Sequence, residues 1–80
     1  LIVHERLYDD LKNRLAKAYA QLRIGNPLDE GNHVGPLIDQ DAVRGYQVAI
    51  EEIKKAGGRF VVEPGVLSGE GFESGCYVRP

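Results

Sequence analysis

The chain has 80 residues, a net charge of −2 at pH 7, and 28% charged and 42% hydrophobic residues, with a pI near 5.6. These totals are typical of one small folded unit, and they give no basic patch for nucleic-acid binding because ten Lys and Arg are interleaved with twelve Asp and Glu. No apolar run is long enough to span a bilayer, so we expect neither nucleic acid nor a membrane as a partner.

The single cysteine predicts the cellular compartment, and the first residues predict that the chain is part of a longer polypeptide. Cys76 has no second cysteine with which to form an internal disulfide, which favours a reducing compartment, the cytoplasm. The chain contains no Met and opens on the apolar run Leu1–Val3. We therefore expect residues 1–80 to be a single segment of a longer polypeptide.

The first part of the chain predicts a strand followed by a helix. Leu1–His4 is a short, β-branched run of the kind found in buried strands. Gly25 is expected to end the helix Leu7–Arg23, and Pro27 prevents its continuation. Apolar residues recur every three to four positions along this helix and share one stripe: Leu7, Leu11, Leu15, Ala18 or Tyr19, and Leu22.

A connector without periodicity leads to a second helix. The stretch RIGNPLDEGNHVGPLIDQDA, residues 23–42, carries three Gly and two Pro, and loops of this length are usually functional, shaped by a partner or disordered. Asp39 is the expected N-cap of a helix over Asp41–Ala56, because its carboxylate can accept from the free amides of the first turn. Gly57 and Gly58 are expected to end that helix, since glycine adopts the left-handed conformation without penalty.

The second helix and the residues after it complete the predicted architecture. Glu51 is expected to pair with Lys55 on the solvent side. Phe60–Glu63 predicts a strand, the stretch VLSGEGFESG a turn region, and Cys76–Val78 a last strand. The fold class is therefore α/β, in the order β-α-α-β-β. The apolar stripe of the second helix comprises Val43, Tyr46, Ile50 and Ile53.

The two imidazoles and the thiol form no pattern typical of a catalytic or metal site. His4 and His33 lack the clustered His, Cys, Asp or Glu donors that metal sites need. Cys76 could act as a nucleophile, but a reactive thiol needs a helix N-terminus, a base or a cation beside it. Between Gly75 and Tyr77, in an expected strand, it is interpreted as a packing residue.

The acidic pairs Asp9-Asp10 and Glu51-Glu52 are interpreted as solvated helix faces. Adjacent side chains point about 100° apart on a helix, so neither pair converges on one substrate atom.

Two glycine clusters are weighed as phosphate or anion cradles. GEGFESG loosely matches the motif Gly-x-Gly-x-x-Gly, but Gly69, Gly71 and Gly75 are spaced one residue too far and precede strand-like residues, so a hairpin turn is expected. GNHVG, residues 31–35, lies ahead of the second helix, yet Pro36 lacks an amide and Asp39 is already negative there. No catalytic, cofactor-binding or metal-ligating residue is therefore assigned.

The chain as a whole resembles the aldehyde dehydrogenase superfamily, in the stretch after that family's catalytic cysteine. There the family has a strand, a helix, a Gly-x-Pro-x-Asp turn, a Gly-Pro turn, a second helix, a Gly-Gly stop and two strands. The phrase KAYAQLRIGNP is most similar to the antiquitin-like (α-aminoadipic semialdehyde dehydrogenase) branch. The resemblance implies an internal fragment of the catalytic domain. The matching stretches are Leu1–His4, Leu7–Arg23, Gly25–Asp29, Gly35–Ile38, Asp41–Ala56, Gly57-Gly58, Phe60–Glu63 and Gly75–Pro80.

The resemblance implies that the parent protein oxidises an aldehyde to a carboxylic acid with NAD or NADP. In the family a thiolate adds to the carbonyl, hydride passes to the nicotinamide, and water hydrolyses the thioester. The attacking cysteine, in a Gly-Gln-x-Cys context, the general-base glutamate and the oxyanion asparagine lie before Leu1, and a Glu-x-Phe-Gly-Pro motif lies after Pro80. Cys76 does not match the nucleophile. Many relatives place a cofactor-contacting Gln where this chain has Ala42, so the segment alone is expected to be inactive and to bind no cofactor.

The resemblance also implies a structural role, with the rest of the parent chain as partner and a homo-oligomeric parent. In the family the connector crosses the surface, where Pro27 and Pro36 preset the backbone and Asp29 can bond turn amides. The alternative is a stand-alone module without enzymatic activity that binds another protein through its apolar stripes. Such a module should fold cooperatively as a monomer, whereas a fragment should associate or unfold through the exposed Leu1–Val3 strand.

Overall fold

Two helices and a two-stranded antiparallel sheet make up the regular structure of the computed structural model, which describes all 80 residues. A 3₁₀ turn, Glu5–Leu7, leads directly into α1, Tyr8–Ala20. Helix α2 spans Gln40–Lys55, and the strands β1, Gly65–Val66, and β2, Val78–Arg79, follow it. The structure therefore contains helices and a sheet, as an α/β piece should, but the order of elements differs from the predicted β-α-α-β-β.

Helix α1 is shorter than the predicted Leu7–Arg23. Its last turn tightens, with the amides of Gln21 and Leu22 donating to carbonyls only three residues back. The carbonyl of Arg23 instead accepts from the amides of His33 and Val34, which draws the chain out of the helix. The helix thus ends before Gly25, which does not have a positive φ. A Cβ at Gly25 would lie 2.6 Å from Nδ2 of Asn32, so a larger residue here would displace the Asn32 side chain, which donates to the carbonyl of Asn26.

The predicted N-cap and terminating glycines of α2 are confirmed, and the helix spans Gln40–Lys55, one residue earlier at each end than the predicted Asp41–Ala56. Oδ1 of Asp39 accepts from the amide of Ala42 at 2.9 Å, which satisfies one of the free donors of the first turn. At the other end Gly57 has φ +86°, and the amide of Gly58 donates to the carbonyl of Ile53, as in a Schellman motif. One predicted ion pair was wrong: Oε1 of Glu51 lies 3.9 Å from Nζ of Lys54, and Glu51 does not pair with Lys55.

The strand predictions fared less well than the helix predictions. Leu1–His4 forms no strand, and the side chains of Leu1 and Ile2 are 96% and 100% exposed. Phe60–Glu63 also lies in no strand, and the observed β1 begins after it, within the stretch that was expected to be turn. The last strand is shifted from Cys76–Val78 to the observed β2. A strand needs a neighbour for its backbone groups, and the first two segments have none within these residues.

The core lies between α2 and the residues around β2. Five of the 80 residues are buried, and four are the apolar Val43, Cys76, Tyr77 and Val78. The ring of Tyr77 packs edge-on against Phe72 at a centroid distance of 5.2 Å. Strand β2 pairs with β1 in the register Gly65 to Arg79 and Val66 to Val78.

The connector folds as a loop closed at its base. Ile24 and Val34 form an isolated parallel bridge, and the amide of Gly25 donates to the carbonyl of Val34. Oδ1 of Asn26 accepts from the amide of Leu28 at 2.9 Å. The side-chain bond expected from Asp29 is thus made by Asn26, one residue before Pro27.

Candidate functional site

Each imidazole is used as a backbone cap. Nδ1 of His4 accepts from the amide of Arg6 at 3.1 Å, at the start of the 3₁₀ turn. Nδ1 of His33 accepts from the amide of Arg23, also at 3.1 Å, at the base of the connector. The two rings lie in different parts of the chain, and nowhere do three His, Cys, Asp or Glu side chains come together around a common point.

Cys76 is buried beside the first turn of α2. Its Sγ accepts from Nε2 of Gln40 at 3.4 Å and lies 3.7 Å from the carbonyl oxygen of Ser74. The same Nε2 donates to the Ser74 carbonyl at 2.9 Å. The thiol thus lies near a helix N-terminus, which the sequence analysis did not foresee, but its neighbours are an amide and a carbonyl rather than a base or a cation.

The acidic pairs lie on solvent-exposed faces. Along α1, Oδ1 of Asp9 lies 3.8 Å from Nζ of Lys12. Oδ2 of Asp10 lies 3.1 Å from Nε of Arg14. Exposed pairs of this kind contribute only about 0.3–0.5 kcal/mol each. Glu51 pairs with Lys54 on the exposed face of α2. No two carboxylates are arranged to hold one substrate atom between them.

The glycine-rich stretch forms turns rather than a phosphate cradle. Gly69, Gly71 and Gly75 all have positive φ, from +72° to +102°, and no helix follows them. The backbone amides of Glu73 itself and of Gly71 donate to the Glu73 carboxylate, and these hydrogen bonds lower the pKa of Glu73. Oε1 of Glu73 is 3.1 Å from the amide nitrogen of Gly71. A carboxylate therefore already occupies the donors that an anion would need.

Two side chains hold the C-terminal half together: Tyr46, which the sequence places in an apolar stripe, and Gln40, to which the sequence assigns no role. The hydroxyl of Tyr46 donates to the carbonyl of Arg79 at 2.7 Å and accepts from the amide of Gly65 at 2.9 Å. It thereby ties α2 to both strands, while Gln40 ties the first turn of α2 to Ser74 and Cys76. A tyrosine within an aliphatic stripe is a signal for such a bond, because a half-buried hydroxyl needs a partner.

The largest unfilled feature is a gap between α1 and residues 59–63, which we call the apolar slot. Three adjoining cavities of about 250, 240 and 480 Å³ lie along it, each lined by residues from both walls. No side chain of α1 is fully buried, and Leu15, in the middle of its stripe, is 38% exposed. The residues that define the slot are Lys12, Leu15, Tyr19, Val61, Val62 and Pro80.

The whole chain exposes more surface than a compact protein of its mass. A folded monomer of 8.8 kDa exposes about 4,800 Å², whereas this chain exposes 6524 Å². The excess of roughly 1,700 Å² is about twice the roughly 800 Å² that one partner buries in a standard protein–protein interface. The radius of gyration, 14.6 Å, likewise exceeds the roughly 12 Å expected for 80 packed residues. The candidate functional site is therefore a surface for packing.

Ala42 stands at the position where the resemblance implies a cofactor-contacting Gln in many relatives. Its methyl side chain cannot donate or accept a hydrogen bond, and its amide is already bonded to Oδ1 of Asp39. The residues present do not fit a cofactor contact at this position.

None of the chain's helices has the length and apolar character needed to cross a membrane.

Comparison with known proteins identifies a matching family and several relatives. The model of the aldehyde dehydrogenase family matches residues 1–80. The chain is 49% identical over 80 residues to a homolog of aldehyde dehydrogenase family 7 member A1 from Dictyostelium discoideum, covering all of this chain and 15% of that protein. It is 44% identical over 80 residues to alpha-aminoadipic semialdehyde dehydrogenase from Bos taurus, covering all of this chain and 14% of that protein.

A plant relative gives the same result. The chain is 42% identical over 71 residues to aldehyde dehydrogenase family 7 member A1 from Pisum sativum, covering 89% of this chain and 14% of that protein. The chain thus spans about one seventh of the length of the curated relatives it matches. No solved structure matches it.

Proposed function

Because this chain belongs to the aldehyde dehydrogenase family, we propose that it is an internal structural part of a parent enzyme that oxidises an aldehyde to a carboxylic acid with NAD or NADP. The match over all 80 residues carries this proposal. The resemblance to the α-aminoadipic semialdehyde dehydrogenase branch is confirmed by relatives of that name and of family 7 at 42–49% identity. The semialdehyde of α-aminoadipic acid is therefore the first substrate to assay.

Within the parent enzyme the segment is proposed to carry no catalytic residue. Its two imidazoles cap backbone turns, and its thiol is buried against Gln40. Its carboxylates lie on helix faces or within a turn. These side chains shape the segment, and the reacting groups are expected elsewhere in the parent chain.

We propose that only parts of the parent outside this segment bind the cofactor. Ala42 offers no side-chain hydrogen bond and its amide is engaged by Asp39, so the groups that bind the cofactor are expected elsewhere in the parent chain. The cytoplasmic location and the homo-oligomeric assembly of the parent stay predictions.

The exposed surface supports a part of a larger domain over an independent interaction module. An independent module would bury a core of its own, but only five of 80 residues are buried here. The exposed large apolar residues are also scattered along the chain rather than gathered in one patch, among them Leu1, Ile2, Leu28, Ile38, Val48 and Val61.

The experiment is an activity assay of the full-length parent and of the 80-residue chain. We expect the parent to reduce NAD or NADP in the presence of the semialdehyde, and the 80-residue chain to show no turnover above a blank. A parent with Cys76→Ser should keep its activity, because Cys76 is a packing residue. Turnover by the 80-residue chain that depends on Cys76 would contradict the structural role, and a folded parent without dehydrogenase activity towards any aldehyde would contradict the enzyme proposal.

A further inference from the structure

The imidazole of His33 helps to close the base of the connector through a nitrogen that must carry no proton. We propose that the connector is a pH-sensitive latch, in which protonation of His33 releases the side-chain bond that holds the loop base to Arg23. This inference goes beyond the proposed function and does not depend on the activity of the parent.

His33 and Arg23 are bonded to each other in both directions. The amide of Arg23 donates to Nδ1 of His33 at 3.1 Å, and the amide of His33 donates to the carbonyl of Arg23 at 2.8 Å. The two residues are ten positions apart in the sequence. This pair of bonds therefore closes the loop between them.

The bond to Nδ1 exists only with a neutral ring. An imidazole nitrogen accepts a hydrogen bond when it is unprotonated, whereas both nitrogens of an imidazolium are donors. Histidine gains its second proton between about pH 8 and pH 5. In the protonated ring, the N–H at Nδ1 would face the N–H of Arg23, and the Arg23 amide would lose its side-chain acceptor. The bond is therefore present at the higher pH and is lost as the pH falls.

The charges around the loop offer no partner that would hold an imidazolium in the closed position. All four ion pairs of the structure lie along α1 or α2, and none includes His33. Nη1 of Arg23 would lie 3.6 Å from a Cβ at Gly31, so its guanidinium adds a like charge to the same loop. The carboxylate of Asp39 accepts from the amide of Ala42. The charged side chains between α1 and α2, all exposed, are Arg23, Asp29, Glu30 and Asp39.

His4 provides a contrast within the same chain. Its Nδ1 also accepts from a backbone amide at 3.1 Å, but the donor, Arg6, is only two residues away. Loss of that bond would loosen one 3₁₀ turn, which keeps the bond from the Leu7 amide to the His4 carbonyl. Only at His33 does the protonation of an imidazole act on a long segment of backbone.

The expected response is a change in the population of the open loop. Three backbone bonds remain at the base after protonation, two to the carbonyl of Arg23 and one from the amide of Gly25 to the carbonyl of Val34. The loss of one hydrogen bond of ordinary strength changes an equilibrium constant about fivefold. We therefore expect the open fraction to rise about fivefold when His33 is protonated.

Cleavage after Glu30 in the full-length parent measures this opening. Glu30 is exposed and lies inside the closed loop, and cleavage of a transiently open segment follows the open fraction. A glutamate-specific protease is applied between about pH 8 and pH 5.5, with an isotope-labelled peptide of residues 26–36 in the same reaction. The peptide lacks Arg23 and cannot close, so it records how pH affects the protease and its recognition of the sequence near His33. We expect cleavage of the parent, relative to the peptide, to rise about fivefold as the pH falls.

Two variants of the parent, each compared with its own peptide, assign the effect to one ring. His33→Asn supplies an amide oxygen that does not titrate, so its relative cleavage should be independent of pH. His4→Asn is the matched control and should keep the rise. Relative cleavage of the unmodified parent that does not change with pH, or an equal rise in the His33→Asn parent, would overturn the proposal. Because the readout does not use turnover, a parent without dehydrogenase activity still tests the latch.

Discussion

The two helices carry similar amphipathic patterns, yet they differ in what they pack against. Helix α2 buries Val43 and is bonded through Tyr46 and Gln40 to the residues around β1 and β2. Helix α1 buries no residue, and its stripe faces the apolar slot. The difference shows that hydrophobic periodicity specifies a helix and the face that needs cover, but not where the cover comes from.

Polar contacts reinforce the contrast. Two side chains of α2 bond groups outside the helix. Tyr46 bonds the Arg79 carbonyl and the Gly65 amide, and Gln40 bonds the Ser74 carbonyl and Sγ of Cys76. The side-chain contacts of α1 are the exposed ion pairs along its own surface and the stacking of Lys12 on Tyr8. Such local contacts support a helix without attaching it to anything else.

The largest effect should come from removing a buried ring in the C-terminal half. Tyr77 is 8% exposed and packs against Phe72, so Tyr77→Ala should lower the free energy of unfolding by about 3–5 kcal/mol. Tyr8→Ala on α1 is the control and should cost much less, since Tyr8 is half exposed. Both are measured by chemical denaturation of the 80-residue chain. Equal losses would mean that the two halves are packed alike.

A second prediction concerns the stripe of α1. Had Leu15 been buried within this chain, Leu15→Ala would cost about 2–5 kcal/mol. Because Leu15 is only partly covered, we expect a cost of about 1 kcal/mol in the 80-residue chain. In the parent we expect about 2–5 kcal/mol, on the premise that further residues cover the slot there. Denaturation of both proteins with and without the substitution measures the difference. The same cost in each would show that α1 gains no partner from the rest of the polypeptide.

A third prediction concerns the hydroxyl of Tyr46. Tyr46→Phe keeps the ring but leaves the Arg79 carbonyl and the Gly65 amide without this partner. We expect a loss of about 1–2 kcal/mol in the free energy of unfolding, together with faster exchange of the Gly65 amide. Tyr19→Phe on α1, whose hydroxyl makes no hydrogen bond in the structure, is the matched control and should change neither quantity. If Tyr46→Phe behaves like this control, the hydroxyl does not tie the strands to α2.

The smallest effect is a pH dependence of the turn at Glu73. Hydrogen bonds from the amides of Glu73 and Gly71 lower the pKa of this carboxyl group, so folding favours its ionised form. The resulting stabilisation is present above the usual glutamate range and is lost as the pH falls through the lowered pKa. An NMR titration should show the Gly71 amide shifting with a midpoint below that range, and Glu73→Gln should abolish the shift. A midpoint at or above the usual range would contradict the hydrogen bonds.

How far the sequence predicts this structure depends on the distance over which each interaction acts. The N-cap at Asp39 and the C-terminal Gly57 were predictable because their partners lie within a few residues. The early end of α1 was missed because the Arg23 carbonyl bonds residues ten and eleven positions away. The strands at Leu1–His4 and Phe60–Glu63 were predicted from composition, but strand formation needs a neighbour that these 80 residues do not supply.

The site could be predicted only in part, for the same reason. Excluding a metal cluster or an acidic pair needs only residue types and spacing, which the sequence contains. The bonds of Tyr46 and Gln40 join residues 19 to 36 positions apart, and no local pattern reveals such pairs. The apolar slot is likewise a property of the fold. Its two walls, α1 and residues 59–63, are separated along the sequence by the connector and α2.

The central claim is that the C-terminal half carries the tertiary structure of this chain and that α1 depends on the rest of the polypeptide. Residue-resolved amide exchange of the 80-residue chain tests it most directly. We predict slow exchange in α2 and at Leu37 and Leu67, whose amides donate to the carbonyls of Cys76 and Tyr77, with α1 exchanging close to the rate of a free peptide. Equal protection of α1 and α2 would contradict the claim, because it would show that α1 is held in place by these 80 residues alone.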